Sequence, residues 1–226
     1  MNLRHLAAPL LAAVLLGAAG APAFAHEGTG IDEGRTTTPF RTSAFLAPHQ
    51  SSFTLAILLP VPTNHVHSVG TATVQLNSDN TARIAVNATG LLNGAPHAMH
   101  IHEKGNGECP TADAAGDHNG HQAISTTDGL PAYGPIGTSL TTTGDTSPGS
   151  ALAVDRFPSS GTFHYSRTIQ LTSDVAQQVR NDNAVVVVHG IDYNGNGRYD
   201  NVLGASELNP ALPQEATAPA LCGPLH

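Results

Sequence analysis

The residues best equipped for chemistry in this chain are histidines. His100-Ile101-His102 sets two imidazoles two positions apart. On a β-strand, positions i and i+2 face the same side, so both rings can reach one ion. His118 follows within the Gly-rich stretch Gly116-Asp117-His118, and His189 ends the apolar run Val185–Val188. Neutral imidazole suits late first-row metals, and copper leads the divalent affinity series. Four imidazoles on a stiff β scaffold, His100, His102, His118 and His189, therefore point to a copper ion. The competing reading is four unrelated surface histidines, a real alternative in a chain with 13.

The scaffold reads as β-structure. Thr71–Leu76 and Ala82–Asn87 alternate around the turn residues Asn77–Asn80, the pattern of a hairpin. Met99–His102 and Gly161–Leu171 are further strands, and the four valines 185–188 predict a strand buried on both faces. A single helical segment falls within Thr172–Asn183, with Ser173 or Asp174 as its cap. Residues 105–149 are rich in Gly, Pro, Thr, Asp and Asn, which predicts long loops of the kind that carry function. The last 25 residues, with Pro210, Pro213 and Pro219, also read as loop. Short strands separated by turns indicate an all-β sandwich or barrel spanning residues 69–226. Residues 26–68 read as an irregular extension with one strand at most, near Phe53–Val61, where Pro60 and Pro62 interrupt.

Residues 1–25 have the form of an export signal. Arg4 and His5 precede an Ala/Leu/Val run from Leu6 to Ala19, and Ala23-Phe24-Ala25 is a small-x-small cleavage site. Pro9, Gly17, Gly20 and Pro22 interrupt the run short of the ~20 apolar residues that span a bilayer. A secreted or periplasmic protein is expected, in a compartment where disulfides persist. Composition narrows the classes further. A formal net charge of -8 and no basic cluster exclude nucleic-acid binding. With 40% hydrophobic and 12% charged residues, the chain is not a disordered acidic protein.

Taken together, His100-Ile101-His102-Glu103, Gly105, Cys109, Ala115-Gly116-Asp117-His118, Val186-Val187-Val188-His189-Gly190 and Ala220-Leu221-Cys222-Gly223 resemble the Cu/Zn superoxide dismutase family. The likeness runs from about Gly70 to His226. It implies a Greek-key β-barrel of about eight strands with long loops. It also implies copper held by His100, His102, His118 and His189, an intrachain disulfide between Cys109 and Cys222, and superoxide as the small-molecule substrate. His121 competes with His118 for its place, and the preceding Ala-Gly-Asp favours His118. Two cysteines in an exported chain also pair most simply with each other.

The chain departs from that family in two places. The family's zinc set needs further histidines and an aspartate in the following loop. Only His121 follows closely here, with Asp128 the sole carboxylate, so copper without zinc is expected. The family's arginine, three residues before the second cysteine, is replaced by Pro219. Lys104 and Arg198 are the candidate substitutes for its positive charge. The implied reaction is dismutation of superoxide to oxygen and hydrogen peroxide. The alternative is a non-catalytic copper-binding or structural module that keeps the barrel.

Four lesser features remain. Asp192-Tyr193-Asn194-Gly195-Asn196-Gly197 with Asp200 resembles the first half of a calcium loop, with oxygens at alternate positions and Gly sixth. Leu203 occupies the twelfth place, so the acidic ligand that closes such a loop is missing, and an ion-free turn is the other reading. His65-Val66-His67 is a second HxH pair, a candidate accessory copper site. His26 becomes the amino terminus after cleavage and can chelate copper there. Asn87-Ala88-Thr89 is a glycosylation sequon within a predicted strand.

Overall fold

Wherever apolar and polar residues alternate, the chain forms a strand. The computed structural model describes residues 50–226. The strands are β1 Ser52–Pro60, β2 Val69–Leu76, β3 Thr81–Thr89, β4 Met99–His102, β5 Gly116–His118, β6 His121–Ala123, β7 Ile136–Ser139, β8 Thr162–Gln170, β9 Val185–His189 and β10 Pro219–Pro224. Three helices lie between them: α1 Thr126–Tyr133, α2 Ser173–Arg180 and α3 Gln214–Thr217. Eight strands form one antiparallel sheet in the order β7-β4-β9-β10-β1-β2-β3-β8, and β5-β6 is a separate hairpin. The adjacency of β3 with β8 and of β4 with β9 is of the Greek-key kind. The expected all-β barrel or sandwich is present as a curled half-barrel.

The curl has a direct cause in the side chains. Leu58, Val74 and Ile84 from one half of the sheet share a single core with Met99, Ile101, Val186 and Val188 from the other. The expected hairpin pairs Ala72 with Val86 and Val74 with Ile84. Strand β9 confirms its two-sided burial. Val186 and Val188 enter the main core, while Val185 and Val187 join a smaller cluster with Ile124, Tyr133 and Cys222.

Four sequence expectations need correction. β1 pairs with both β2 and β10, so the sheet begins at Ser52 and not at residue 69. The C-terminal stretch supplies β10, a strand between β9 and β1. Pro219 is tolerated because it opens that strand beside a register shift. Helix α1 was masked by Gly129 and Pro131, yet Ser125 and Asp128 form a reciprocal capping box that marks its start. α2 is capped by Thr172, one residue ahead of the expected caps. The export signal and residues 26–49 lie outside the described residues. Among the described residues, no helix is long and apolar enough to cross a membrane.

Cys109 and Cys222 form the disulfide, with Cα atoms 5.8 Å apart and a sequence separation of 113. It fastens the loop after β4 to the central strand β10. Such a closure restricts the unfolded chain far more than the folded one. Replacing both cysteines with serine is predicted to lower the unfolding free energy by about 2–5 kcal/mol. Denaturant titration would show this as a lower midpoint, and an unchanged midpoint would mean the bridge adds no stability.

Candidate metal centre

The β4–β9 register builds the site. His100 lies opposite Val187 and His102 opposite Val185. His189 shares the strand parity of those two valines. All three imidazoles therefore stand on the outer face of the sheet, away from the main core. Loops cover that face, and the rings are 2%, 0% and 2% exposed for His100, His102 and His189. One nitrogen from each ring lies within 4.8 Å of the other two. Metal–imidazole bonds are about 2 Å, so small ring movements suffice to seat one ion.

Hydrogen bonding decides which nitrogens face inward. His100 Nε2–H donates to the Ala151 carbonyl at 3.2 Å. His102 Nδ1–H donates to Gly134 O at 2.7 Å, and His189 Nδ1–H donates to Thr217 O at 2.8 Å. A carbonyl can only accept, so each contact fixes the ring's tautomer. What remains is one lone pair per ring, on His100 Nδ1, His102 Nε2 and His189 Nε2. These three atoms are buried and have no partner. An unsatisfied buried polar atom costs about 1–3 kcal/mol, a heavy charge against the ~5–15 kcal/mol stability of a typical domain. Three such atoms converging on one point fit an ion that would satisfy them together.

The clamps come from separate loops. Gly134 ends α1 at φ 80°, and a Cβ there would strike the Glu103 carbonyl, so glycine is needed to present this oxygen. Tyr133, fully buried, packs its ring 4.5 Å from His102, and Phe157 lies 5.8 Å from His100. His97 escaped the sequence reading because it stands alone. It is fully buried, with Nε2 2.8 Å from the Leu92 carbonyl and Nδ1 3.0 Å from that of His189. Burial keeps the ring neutral, so its single N–H serves one of these carbonyls, the nearer one of Leu92.

His118 does not join the cluster. It sits in the β5–β6 hairpin, where Nε2–H donates to Asp128 Oδ2 at 2.7 Å and Nδ1 lies 3.9 Å from Glu207 Oε1. Burial acts to raise the Asp128 pKa, but hydrogen bonds from Ser125 and His118 outweigh it and hold the carboxyl below its ordinary value. His121 is no substitute, since its ring lies against Tyr193 at 5.5 Å. His65 stacks on Tyr193 at 4.1 Å, and neither His65 nor His67 belongs to the three-histidine cluster. Asn87 is tied to His164 at 2.7 Å on the exposed face of β3.

Neither expected cation borders the cavity beside the cluster. Lys104 pairs with Asp174 at 2.8 Å and with Glu103 at 3.4 Å. Arg198 lies in the exposed 192–200 turn. That turn is closed by its own bonds. Asp192 accepts from the N–H groups of Asn196 at 2.9 Å and Gly197 at 2.8 Å, and Asp200 accepts from both Asn194 and Asn196 amides. Glu215, fully buried and overlooked in the sequence, anchors the turn by accepting from Tyr193 N–H at 2.7 Å and from Asp200 N–H. Burial raises its pKa, and Asp200 and Asp192 add to the rise.

No protein-family model matches this chain, and no curated protein matches it.

Burial is the largest cause depressing all three cluster pKa values, and neighbouring rings add to it for His100 and His102. His102 falls to about 3, His189 to about 4, and His100 well below 6.5. The rings are neutral at pH 7, as coordination requires. The unfolded chain binds protons that the folded chain refuses, so this stability is full above 6.5 and lost as pH falls toward 4 and 3. For metal-free protein, denaturation between pH 7 and 5 is predicted to show stability falling by roughly 1 kcal/mol per pH unit per histidine well below pH 6.5. His102→Gln should reduce that slope by roughly a third, and a flat profile would contradict the burial of the rings.

Proposed function

We propose that this protein is an exported copper protein resembling the Cu/Zn superoxide dismutase family, with copper held by His100, His102 and His189. The observation that carries this reading is the set of three carbonyl clamps that leave three buried imidazole lone pairs converging. The chemistry of the donor set favours copper: three neutral nitrogens with no thiolate or carboxylate among them suit a late first-row ion. Bound copper would supply one-electron redox chemistry, and dismutation of superoxide is the reaction the resemblance implies. The protein's own residues prepare the place for it. Ala151, Gly134 and Thr217 hold the ring N–H protons and set the ligand orientation, as outer partners of metal sites do. Tyr133 and Phe157 keep bulk water from the rings. The disulfide and the sheet restrict the movement of the strands that carry them.

A second reading, a non-catalytic copper-binding module, is favoured by one observation. The positive charge that would draw in an anionic substrate is missing from the site, because Lys104 is already paired. Metal analysis and a superoxide assay separate the two. Copper-loaded protein should hold about one copper per chain and consume superoxide. His189→Ala or His100→Ala should lower both copper content and turnover by roughly tenfold or more, since each removes an imidazole ligand. Tight copper binding without turnover would establish the binding module, and no copper uptake would end both readings.

A further inference from the structure

A cavity of about 30 Å³ lies against the cluster, with His100, His189 and Thr217 as its polar wall. The rest is mainly hydrocarbon, including Ile136 of β7, Leu152 and Val154 from the loop that follows, and Leu208 and Leu212 from the loop after β9. Val154 and Leu208, at 42% and 44% exposed, place part of this lining at the surface, whereas the rings beneath are nearly inaccessible. A space of this size holds a molecule about as large as one or two waters. It has no place for an extended substrate.

Charge is missing from the lining. None of the basic side chains in the described residues borders the cavity. Arg156, on the same loop as Leu152 and Val154, is held by the Thr143 and Asp145 carbonyls and by Ser150 Oγ. Arg167 is held by Thr141 and Gly144, and Lys104 by Asp174 and Glu103. An anion entering this space would leave water for hydrocarbon with no side-chain cation to receive it, so that the metal ion alone would have to offset the cost. A small uncharged molecule incurs no such penalty.

We propose that this cavity is the entry and holding site for small uncharged molecules of dioxygen size, and that it disfavours anions. In terms of the proposed copper chemistry, on which this inference rests, the species admitted are dioxygen, hydrogen peroxide or protonated superoxide, in preference to the superoxide anion. Val154 and Leu208 at the surface and Leu152 deeper in the lining determine the selectivity.

Two probes test it. Xenon, an apolar gas, should bind metal-free protein saturably by ¹²⁹Xe NMR, and Leu152→Phe should weaken that binding roughly tenfold by filling the space. In copper-loaded protein, carbon monoxide should bind the reduced form, read from its infrared stretch. Azide should give its charge-transfer band only at concentrations at least roughly tenfold higher. Val154→Arg and Leu208→Arg change exposed positions that the fold tolerates, and each should strengthen azide binding by roughly tenfold while leaving copper content unchanged. Azide binding to the unaltered protein as tightly as carbon monoxide would overturn the proposal, as would an absence of xenon binding. Xenon binding without copper uptake would leave an apolar cavity but end both its assignment as an entry and the copper reading. Copper uptake with indifference to the arginine variants would end the selectivity claim alone.

Discussion

The antiparallel register between β4 and β9 is the constraint on which the site depends. It places His100 and His102 opposite Val187 and Val185 and brings His189 onto the same face. A slip of one residue would turn the imidazoles of one strand into the hydrophobic core and expel Met99 and Ile101, or Val186 and Val188. The large cost of burying imidazoles among those aliphatic side chains holds the register. Core packing and site geometry are therefore set by one decision: the residues that stabilise the half-barrel also aim the rings.

Strand register alone would leave the rings free to rotate. Their orientation comes from three backbone carbonyls, on the loop after β7, at the end of α1 and at the end of α3. Each loop is itself fixed from outside. Arg156 and Asp145 brace the first through Ser150, and the Ser125–Asp128 capping box sets the second. Glu215 in α3 ties the third to the 192–200 turn. The Cys109–Cys222 bridge fastens the loop after β4 to β10, which is hydrogen-bonded to β9. Pre-organisation of this kind lets three lone pairs remain buried without collapsing onto other partners.

The fold was largely legible in the sequence, because period-two alternation is a local signal and the curled sheet satisfies it directly. Two kinds of element were not legible. The strand expected near Phe53–Val61 is β1, but its place in the sheet, beside β10 as well as β2, was not legible. β10, with its prolines, becomes a strand because β9 and the distant β1 offer it hydrogen bonds. Helix α1 contains Gly129 and Pro131, both poor helix residues, and forms because its capping box and the burial of Tyr133 outweigh their low propensity.

The site divides along the same line. The sequence by itself determined that His100 and His102 share a face, that His189 ends a strand buried on both sides, and that the two cysteines belong together. Only tertiary structure decided that His118 bonds to Asp128 outside the three-histidine cluster, that His97 is buried against the His189 carbonyl, and that hydrocarbon lines the cavity beside the cluster. Spacing within one strand fixes direction over a few ångströms. The aim of a loop residue depends on contacts tens of residues away, such as the 113-residue span of the disulfide, which no local pattern encodes.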